Sequence, residues 1–151
     1  MKKSTVTVRL MAVEDFNAVV GIDEKVLKVS RPDYYRLKFE DYVQSTDRLP
    51  TSLVAEDEKG KVVGFIMGGL YIGEYGISQE ATLDSIGVDP DYQGKGVGEQ
   101  LIMEYIDHLK ALDVKKVSTL VDWNDSKLLH FFSKNGFSPS KTINLERVLT
   151  K

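Results

Sequence analysis

Cysteine is missing from this chain of 151 residues. That removes a disulfide framework, a thiolate metal site and a cysteine nucleophile together. Histidine is nearly missing as well: His108 and His130 are the only two. They stand far apart in sequence and give a metal site little support, so no metal is expected. No apolar run approaches membrane-spanning length. The opening Met1-Lys-Lys-Ser-Thr5 is polar, with no apolar stretch behind it, so no signal peptide is expected and the expected location is cytoplasmic. Positive charge is not in excess either. Twenty Lys and Arg against 23 Asp and Glu leave a net charge of -3, which argues against a nucleic-acid binder, since such a protein wants a basic face. The chain has no internal repeat, no low-complexity segment and no linker. Its 42% hydrophobic and 28% charged residues are ordinary for a globular protein, and one domain over residues 1–151 is expected.

What is present is a glycine-rich stretch, Val88-Asp-Pro-Asp-Tyr-Gln-Gly-Lys-Gly-Val-Gly-Glu99. It follows a strand-like run, Ala81 to Val88, and precedes an amphipathic helix, Glu99 to Lys110. A glycine turn in that position exposes backbone N–H groups at the positive end of a helix dipole, which suits a phosphate or pyrophosphate. Two familiar phosphate loops do not fit. A dinucleotide fingerprint needs a third glycine where Glu99 stands. A P-loop needs Ser or Thr after its Gly-Lys, and Lys95 is followed by Gly96. What remains is Gln93-x-x-Gly96-x-Gly98, with Val88-x-Pro90 upstream.

From the start, Val6 to Leu10 alternates as a strand. Helices are expected from Phe16 to about Lys28 and from Asp33 to about Gln44, separated by the break Ser30-Arg-Pro-Asp33. Leu53–Glu56 and Val62–Tyr71 read as a hairpin across Asp57-Glu-Lys-Gly60. Gly68-Gly69 inside its second strand suggests a bulge or a close backbone approach. A strand from Val114 to Val121, a polar elbow from Asp122 to Ser126 and a helix to Asn135, closed by Gly136, follow. Phe137 and Ile143–Leu149 read as final strand material. The order β-α-α-β-β-β-α-β-α-β-β implies an α/β (α+β) fold. Its single mixed, mostly antiparallel sheet would be flanked by helices.

The Gln93-x-x-Gly96-x-Gly98 turn, its placement and this element order resemble the GNAT family of N-acetyltransferases. So does Asn124-Asp-Ser-Lys-Leu-Leu-His-Phe-Phe-Ser-Lys-Asn-Gly-Phe137, which is similar to that family's closing pattern. Val121-Asp-Trp-Asn124 and Phe131-Phe132 look like a bacterial and archaeal subgroup with no assigned substrate. The resemblance implies the GNAT fold, with splayed central parallel strands and acetyl-CoA lying in the gap between them. It implies that Gln93, Gly94, Lys95, Gly96, Val97 and Gly98 anchor the pyrophosphate. Backbone groups of Ile86, Gly87 and Val88 would meet the pantetheine arm, and Asn124 or Asp125 would contact it. Either of the last two can equally be an N-cap for the helix from Ser126.

Direct acetyl transfer to an amine needs a base, a stabilised carbonyl oxygen and a thiolate that leaves. Asp84 is the first candidate for the base, nine residues before Gln93, where several GNAT enzymes carry an ionisable group. Alternation groups it with Thr82 and Ile86. A carboxylate inside a central strand needs a reason to be there; the other reason would be an ion pair with a Lys or Arg on an adjacent strand. Asp122 and Glu74 are the further acidic candidates. Asp122 can instead hold the polar elbow together, and Glu74 can simply be a solvated loop residue. Together the three acids favour a cationic amine acceptor. Tyr34 and Tyr35 can wall an acceptor pocket or pack a helix face. Phe132 stands where the family commonly has a tyrosine acid; it can pack on the cofactor but cannot donate a proton. A thiol pKa of about 8.5 makes the thiolate a tolerable leaving group without it. The expected function is acetyl transfer to a primary amine, from a small molecule, an amino-acid derivative or a protein. The competing reading is a non-catalytic acyl-CoA-binding sensor. Partners beyond acetyl-CoA and the acceptor would be limited to a second copy of the chain, with no nucleic acid and no membrane.

Overall fold

A computed structural model describes residues 5–46, 48–72 and 79–150. The chain divides into two units, Met1–Leu120 and Val121–Lys151. In the first unit the strands are β1 (Thr7–Leu10), β2 (Leu53–Glu56), β3 (Val62–Ile72), β4 (Gln79–Val88) and β5 (Lys116–Ser118). The helices are α1 (Phe16–Leu27), α2 (Pro32–Tyr42) and α3 (Val97–Ala111). The strands lie in chain order in one sheet. The first three pairings are antiparallel, and β4 with β5 is parallel.

The start of α1 is organised by Asp15. Its carboxylate accepts the Ala12 amide at 2.7 Å and two guanidinium N–H groups of Arg9 at 2.8 and 2.9 Å. The chain breaks after Leu27 because Lys28 adopts φ 65, a conformation that stops a helix. Pro32 then starts α2 at a position where its missing N–H costs nothing. A buried Asp23 on α1 takes both Nε and Nη2 of Arg31 at 2.9 Å and the Tyr35 hydroxyl at 2.8 Å. This bidentate pair fixes the angle between the two helices.

Side chains from both helices fill one face of the sheet. Val19 and Ile22 of α1, and Tyr35 and Phe39 of α2, pack with Val54, Phe65 and Met67. Tyr35 and Phe39 are four residues apart, so they share a helix face. The opposite face of β3 carries glycine at Gly64 and Gly68, and α3 sits against it. A methyl group at Gly64 would lie 3.1 Å from Leu101 and 3.2 Å from Val97, and one at Gly68 would lie 2.6 Å from the Tyr105 hydroxyl.

The β3–β4 ladder carries one irregularity. Met67 pairs with Ser85 and Gly68 with Leu83, so Asp84 is an extra residue in β4. Of the bulge or close approach suggested by Gly68-Gly69, the close approach is present at both glycines; the register shifts beside Gly68, but the extra residue belongs to β4 and not to β3. Beside this irregularity the Gly68 backbone is tied to the segment that precedes β2. The Gly68 carbonyl accepts the Thr51 and Ser52 hydroxyls at 2.9 and 3.3 Å, and the Gly68 amide donates to Ser52 Oγ at 3.2 Å. Strict alternation, which would group Asp84 with Thr82 and Ile86, does not carry through this point.

β5 is shorter than the expected Val114–Val121. It pairs with β4 only from Glu80 to Thr82, and the last link is the Thr119 hydroxyl on the Leu83 carbonyl at 2.8 Å. Beyond Leu83 the β5 side of β4 carries no further strand among the described residues, which is the splay that was expected.

The second unit is built on α4 (Ser126–Lys134), with Gly136 at φ 93 closing it. Phe132 is its buried side chain, edge-on to Phe131 at 5.4 Å and to Phe137 at 5.1 Å. The expected strand at Ile143–Leu149 does not form. Its residues join no ladder among the described residues, and Ile143 and Leu145 are 79% and 84% exposed. Alternation says which face a strand would bury; it cannot supply the neighbouring edge that a ladder requires.

Gly68→Ala is expected to destabilise the protein by about 1–3 kcal/mol, because the added methyl meets the Thr82 carbonyl and the Tyr105 hydroxyl. Urea unfolding should show a lower midpoint at unchanged slope.

Candidate active site

The end of β4 runs directly into the glycine turn. Asp89 is almost fully buried and organises it. One carboxylate oxygen accepts the Asp91 amide at 3.0 Å, and the other accepts the Lys25 ammonium of α1 at 2.9 Å. Burial opposes its charge, but the Asp91 amide and Lys25 outweigh burial and hold the carboxyl below its ordinary range. Two further ties hold the turn. The Tyr92 hydroxyl donates to Asp57 of the β2–β3 connection at 2.9 Å, and the Gln93 side chain donates to the Val88 carbonyl at 3.1 Å.

Gly94 and Gly96 then take φ 78 and 85, values that favour glycine over any residue with a Cβ. Gly96 is the residue that caps α3. The amides of Val97 and Gly98, first in the helix, have no preceding helical carbonyl to donate to. The Val97 side chain is buried, so only its backbone faces the turn's chemistry. Lys95 places its ammonium 5.2 Å from the Tyr92 ring centroid. Amide donors, a helix dipole and a cation in one turn fit a pyrophosphate. The open edge of β4 over Ile86, Gly87 and Val88 offers backbone partners to an extended chain beside it.

Asp84, as the bulge residue, is turned toward α2. Its Oδ2 accepts the Lys38 ammonium at 2.6 Å and the Tyr42 hydroxyl at 2.5 Å. The ion pair anticipated as the other reason for this carboxylate therefore exists, with a helix lysine in place of a strand residue. Burial and the neighbouring carboxylate push the Tyr42 hydroxyl well above an ordinary phenol, so it stays a neutral donor. Tyr105 is fully buried, and its hydroxyl has no hydrogen-bond partner among the described residues. Burial first, and then the charge of Asp84, raise its pKa as well.

The remaining candidates fall elsewhere. Asp122, Asn124, Asp125 and Phe132 all belong to the second unit. The Asp122 carboxylate accepts the Asn124 amide at 2.9 Å, and its backbone carbonyl accepts the Asp125 amide at 3.0 Å, which is the elbow role. Of the two N-cap candidates Asp125 is the one that caps, accepting the Leu128 amide at 3.0 Å. Glu74 lies outside the described residues. Tyr35 is core, edge-on to Phe65 at 5.9 Å; Tyr34 is half-buried and stands edge-on to Tyr35 at 5.0 Å. Among the described residues no group of three or more His, Asp or Glu is gathered as a metal site, and no helix is long and apolar enough to cross a membrane.

Sequence reasoning missed Lys38, Tyr42, Tyr105 and Asp89. A signal existed for the first two: Tyr34, Lys38 and Tyr42 recur at four-residue spacing, one stripe along α2.

A β-strand that parts from its parallel neighbour and ends in a glycine turn and helix is the arrangement the GNAT resemblance implied. The model of the acetyltransferase (GNAT) family matches residues 16–137, and the chain belongs to that family of acetyltransferases. It is 27% identical over 152 aligned positions to spermine/spermidine N(1)-acetyltransferase of Bacillus subtilis (strain 168), covering 96% of this chain and 98% of that one. It is 33% identical over 90 residues to mycothiol acetyltransferase of Propionibacterium freudenreichii subsp. shermanii, covering 60% of this chain but 28% of that longer one. Among solved structures, aminoglycoside N-acetyltransferase AAC(6')-Iy in complex with CoA is similar in fold. Its TM-score is 0.77 at 18% identity, over 99% of this chain and 98% of that chain.

The Asp89 pair makes a pH-dependent prediction. A carboxyl whose folded pKa is depressed stabilises the fold above its unfolded value, and that contribution is lost as pH falls through the folded pKa. Asp89→Asn should lower stability at pH 7 by about 1.5–3 kcal/mol, the worth of a hydrogen bond to a charged group. The gap to wild type should close as pH falls below roughly 4, read as Tm against pH.

Proposed function

We propose that the chain, as one acetyltransferase domain, transfers acetyl from acetyl-CoA directly to a primary amine, with Asp84 as the proton acceptor. The observation that carries this reading is the placement of Asp84: the one extra residue of β4, turned off the strand, at the start of the open edge that leads to the glycine turn. Bulges of this kind re-aim side chains beside active sites. The family match running across both units supports reading them as one domain.

The residues divide the work. Lys95, with the amides of Val97 and Gly98, holds phosphate charge at the start of α3. Ile86, Gly87 and Val88 offer strand backbone groups along the pantetheine arm, and an N–H of that strand can polarise the acyl oxygen. Acetyl-CoA, when bound, supplies an acyl group activated as a thioester. Asp84 Oδ2 takes the proton that an ammonium acceptor must lose before its nitrogen can attack. Tyr42, a neutral donor to that same oxygen, keeps the carboxylate oriented. An acceptor in cationic form is favoured because the charge facing it is a carboxylate. Polyamine acetylation, named for the Bacillus subtilis relative, is consistent with such an acceptor. Absence of cysteine agrees with direct transfer without a thioester-linked enzyme.

Acetyl-CoA consumption across a panel of amines, read as free thiol, tests this with little background from a cysteine-free protein. Asp84→Asn should lower kcat by about 10²–10⁴, the usual worth of a general base, while acetyl-CoA binding persists. Unchanged turnover would move the base to Asp122, Glu74 or water. Tight binding without turnover on any amine would favour the sensor reading.

A further inference from the structure

The partners of Lys38 form a complete seat for a primary ammonium. Its Nζ lies 2.6 Å from Asp84 Oδ2 and 5.4 Å from the ring centroids of both Tyr34 and Tyr42. One carboxylate and two aromatic faces are what an alkylammonium needs when it leaves water: a charge partner on one side and ring quadrupoles on the others. We propose that Lys38 is a tethered competitor occupying the seat of the acceptor's ammonium. On this view the acceptor is a primary alkylammonium that must displace it from Asp84. This rests on the reading of Asp84 as proton acceptor and adds to it what the acceptor must resemble and what guards the site.

The seat and its occupant differ in rigidity. The Tyr42 ring lies against the backbone of Gly69, where even a methyl group would collide with it. Tyr34 is held edge-on by the buried Tyr35 ring at 5.0 Å, and Arg31, locked on Asp23, stands 4.4 Å over its face. Asp84 is fixed by the bulge. Lys38 alone hangs on a flexible four-carbon stem, from an exposed helix flank, with 27% of its side chain accessible against 13% for Asp84. The member free to leave is therefore the lysine.

Its departure sets selectivity. While Lys38 and Tyr42 both hold Oδ2, an acceptor cannot deliver a proton to that oxygen. Displacement by another primary ammonium exchanges charge for charge, so the carboxylate is never left buried and unpaired. A neutral or anionic acceptor would expel Lys38 without replacing it and would leave that charge uncompensated, which is costly.

n-Butylammonium, the chemical equivalent of the lysine side chain beyond Cα, is the probe. If Lys38 holds the seat about nine-tenths of the time, removing it raises apparent affinity about tenfold. Titration of butylammonium chloride into Lys38→Met, without acetyl-CoA and followed by calorimetry, should therefore show a Kd about tenfold below wild type. The KM for primary amines should fall in parallel. Lys38→Gln repeats the measurement should Lys38→Met fold poorly, and Lys38→Arg should keep the seat blocked. Weaker or unchanged butylammonium binding in both neutral variants, with kcat reduced, would mean that Lys38 only positions Asp84, and the proposal falls. The Asp84 reading fails separately: tighter binding in Lys38→Met alongside full turnover in Asp84→Asn would keep the seat and remove the base.

Discussion

One extra residue in one strand sets the geometry on which the rest of the site depends. A β-ladder in perfect register would send Asp84 to the same side as Thr82 and Ile86 and bind its neighbours to β3 without interruption. The bulge leaves Asp84 opposite no partner: it keeps the α2 side with Thr82, whose partner Gly69 lies against Tyr42, and meets Lys38 and Tyr42 there, while Ile86 passes to the other side. Beside the bulge, Thr51 and Ser52 bind the Gly68 backbone from the segment before β2, and the absence of a side chain at Gly68 lets β3 come against Thr82 and Tyr105. The strand, the two hydroxyls, the glycine and the tyrosine are one arrangement.

The phosphate end is held by a different device. Asp89 joins the turn to α1 through Lys25, Tyr92 joins it to the β2–β3 connection through Asp57, and Gln93 returns to Val88. These ties come from three directions, so the amides at the start of α3 are aimed before any ligand arrives. Pre-aimed donors lose little entropy on binding. β4 thus carries both ends of the proposed chemistry, the proposed proton acceptor at its bulge and the candidate anion site past its C-terminus, separated by an edge that pairs with no further strand among the described residues. A single strand fixes their spacing.

Membership of the GNAT acetyltransferase family and the order of the elements were legible because both are written locally. Glycines at Gly94 and Gly96 declare a turn with positive φ, and the apolar spacing after Glu99 declares a helix. Leu53–Glu56 and the hairpin beyond it followed from alternation and a turn. Local rules also misjudged extents. β5 stops at Ser118, and Ile143–Leu149 has strand-like alternation but joins no ladder among the described residues. Tyr34 and Tyr35, adjacent and alike in sequence, take different surroundings, one half-buried under Arg31 and one sealed against Phe65.

By itself the amino-acid sequence determined the chemistry available: a glycine turn feeding a helix dipole, a carboxylate inside a strand, and no thiol. Each depends on residues within a few positions of one another, where covalent geometry and hydrogen-bond periodicity leave few alternatives. Tertiary structure alone decided what Asp84 meets. Its partners lie 46 and 42 positions away in the chain, and a bulge is a mismatch in count between two strands, so Gly68-Gly69 could hint at one without showing that Asp84 is the extra residue. Which lysine finds a carboxylate depends on how α2 settles on the sheet, and that is set by Asp23, Arg31 and the packing of Tyr35 and Phe39, not by anything near Asp84 in sequence.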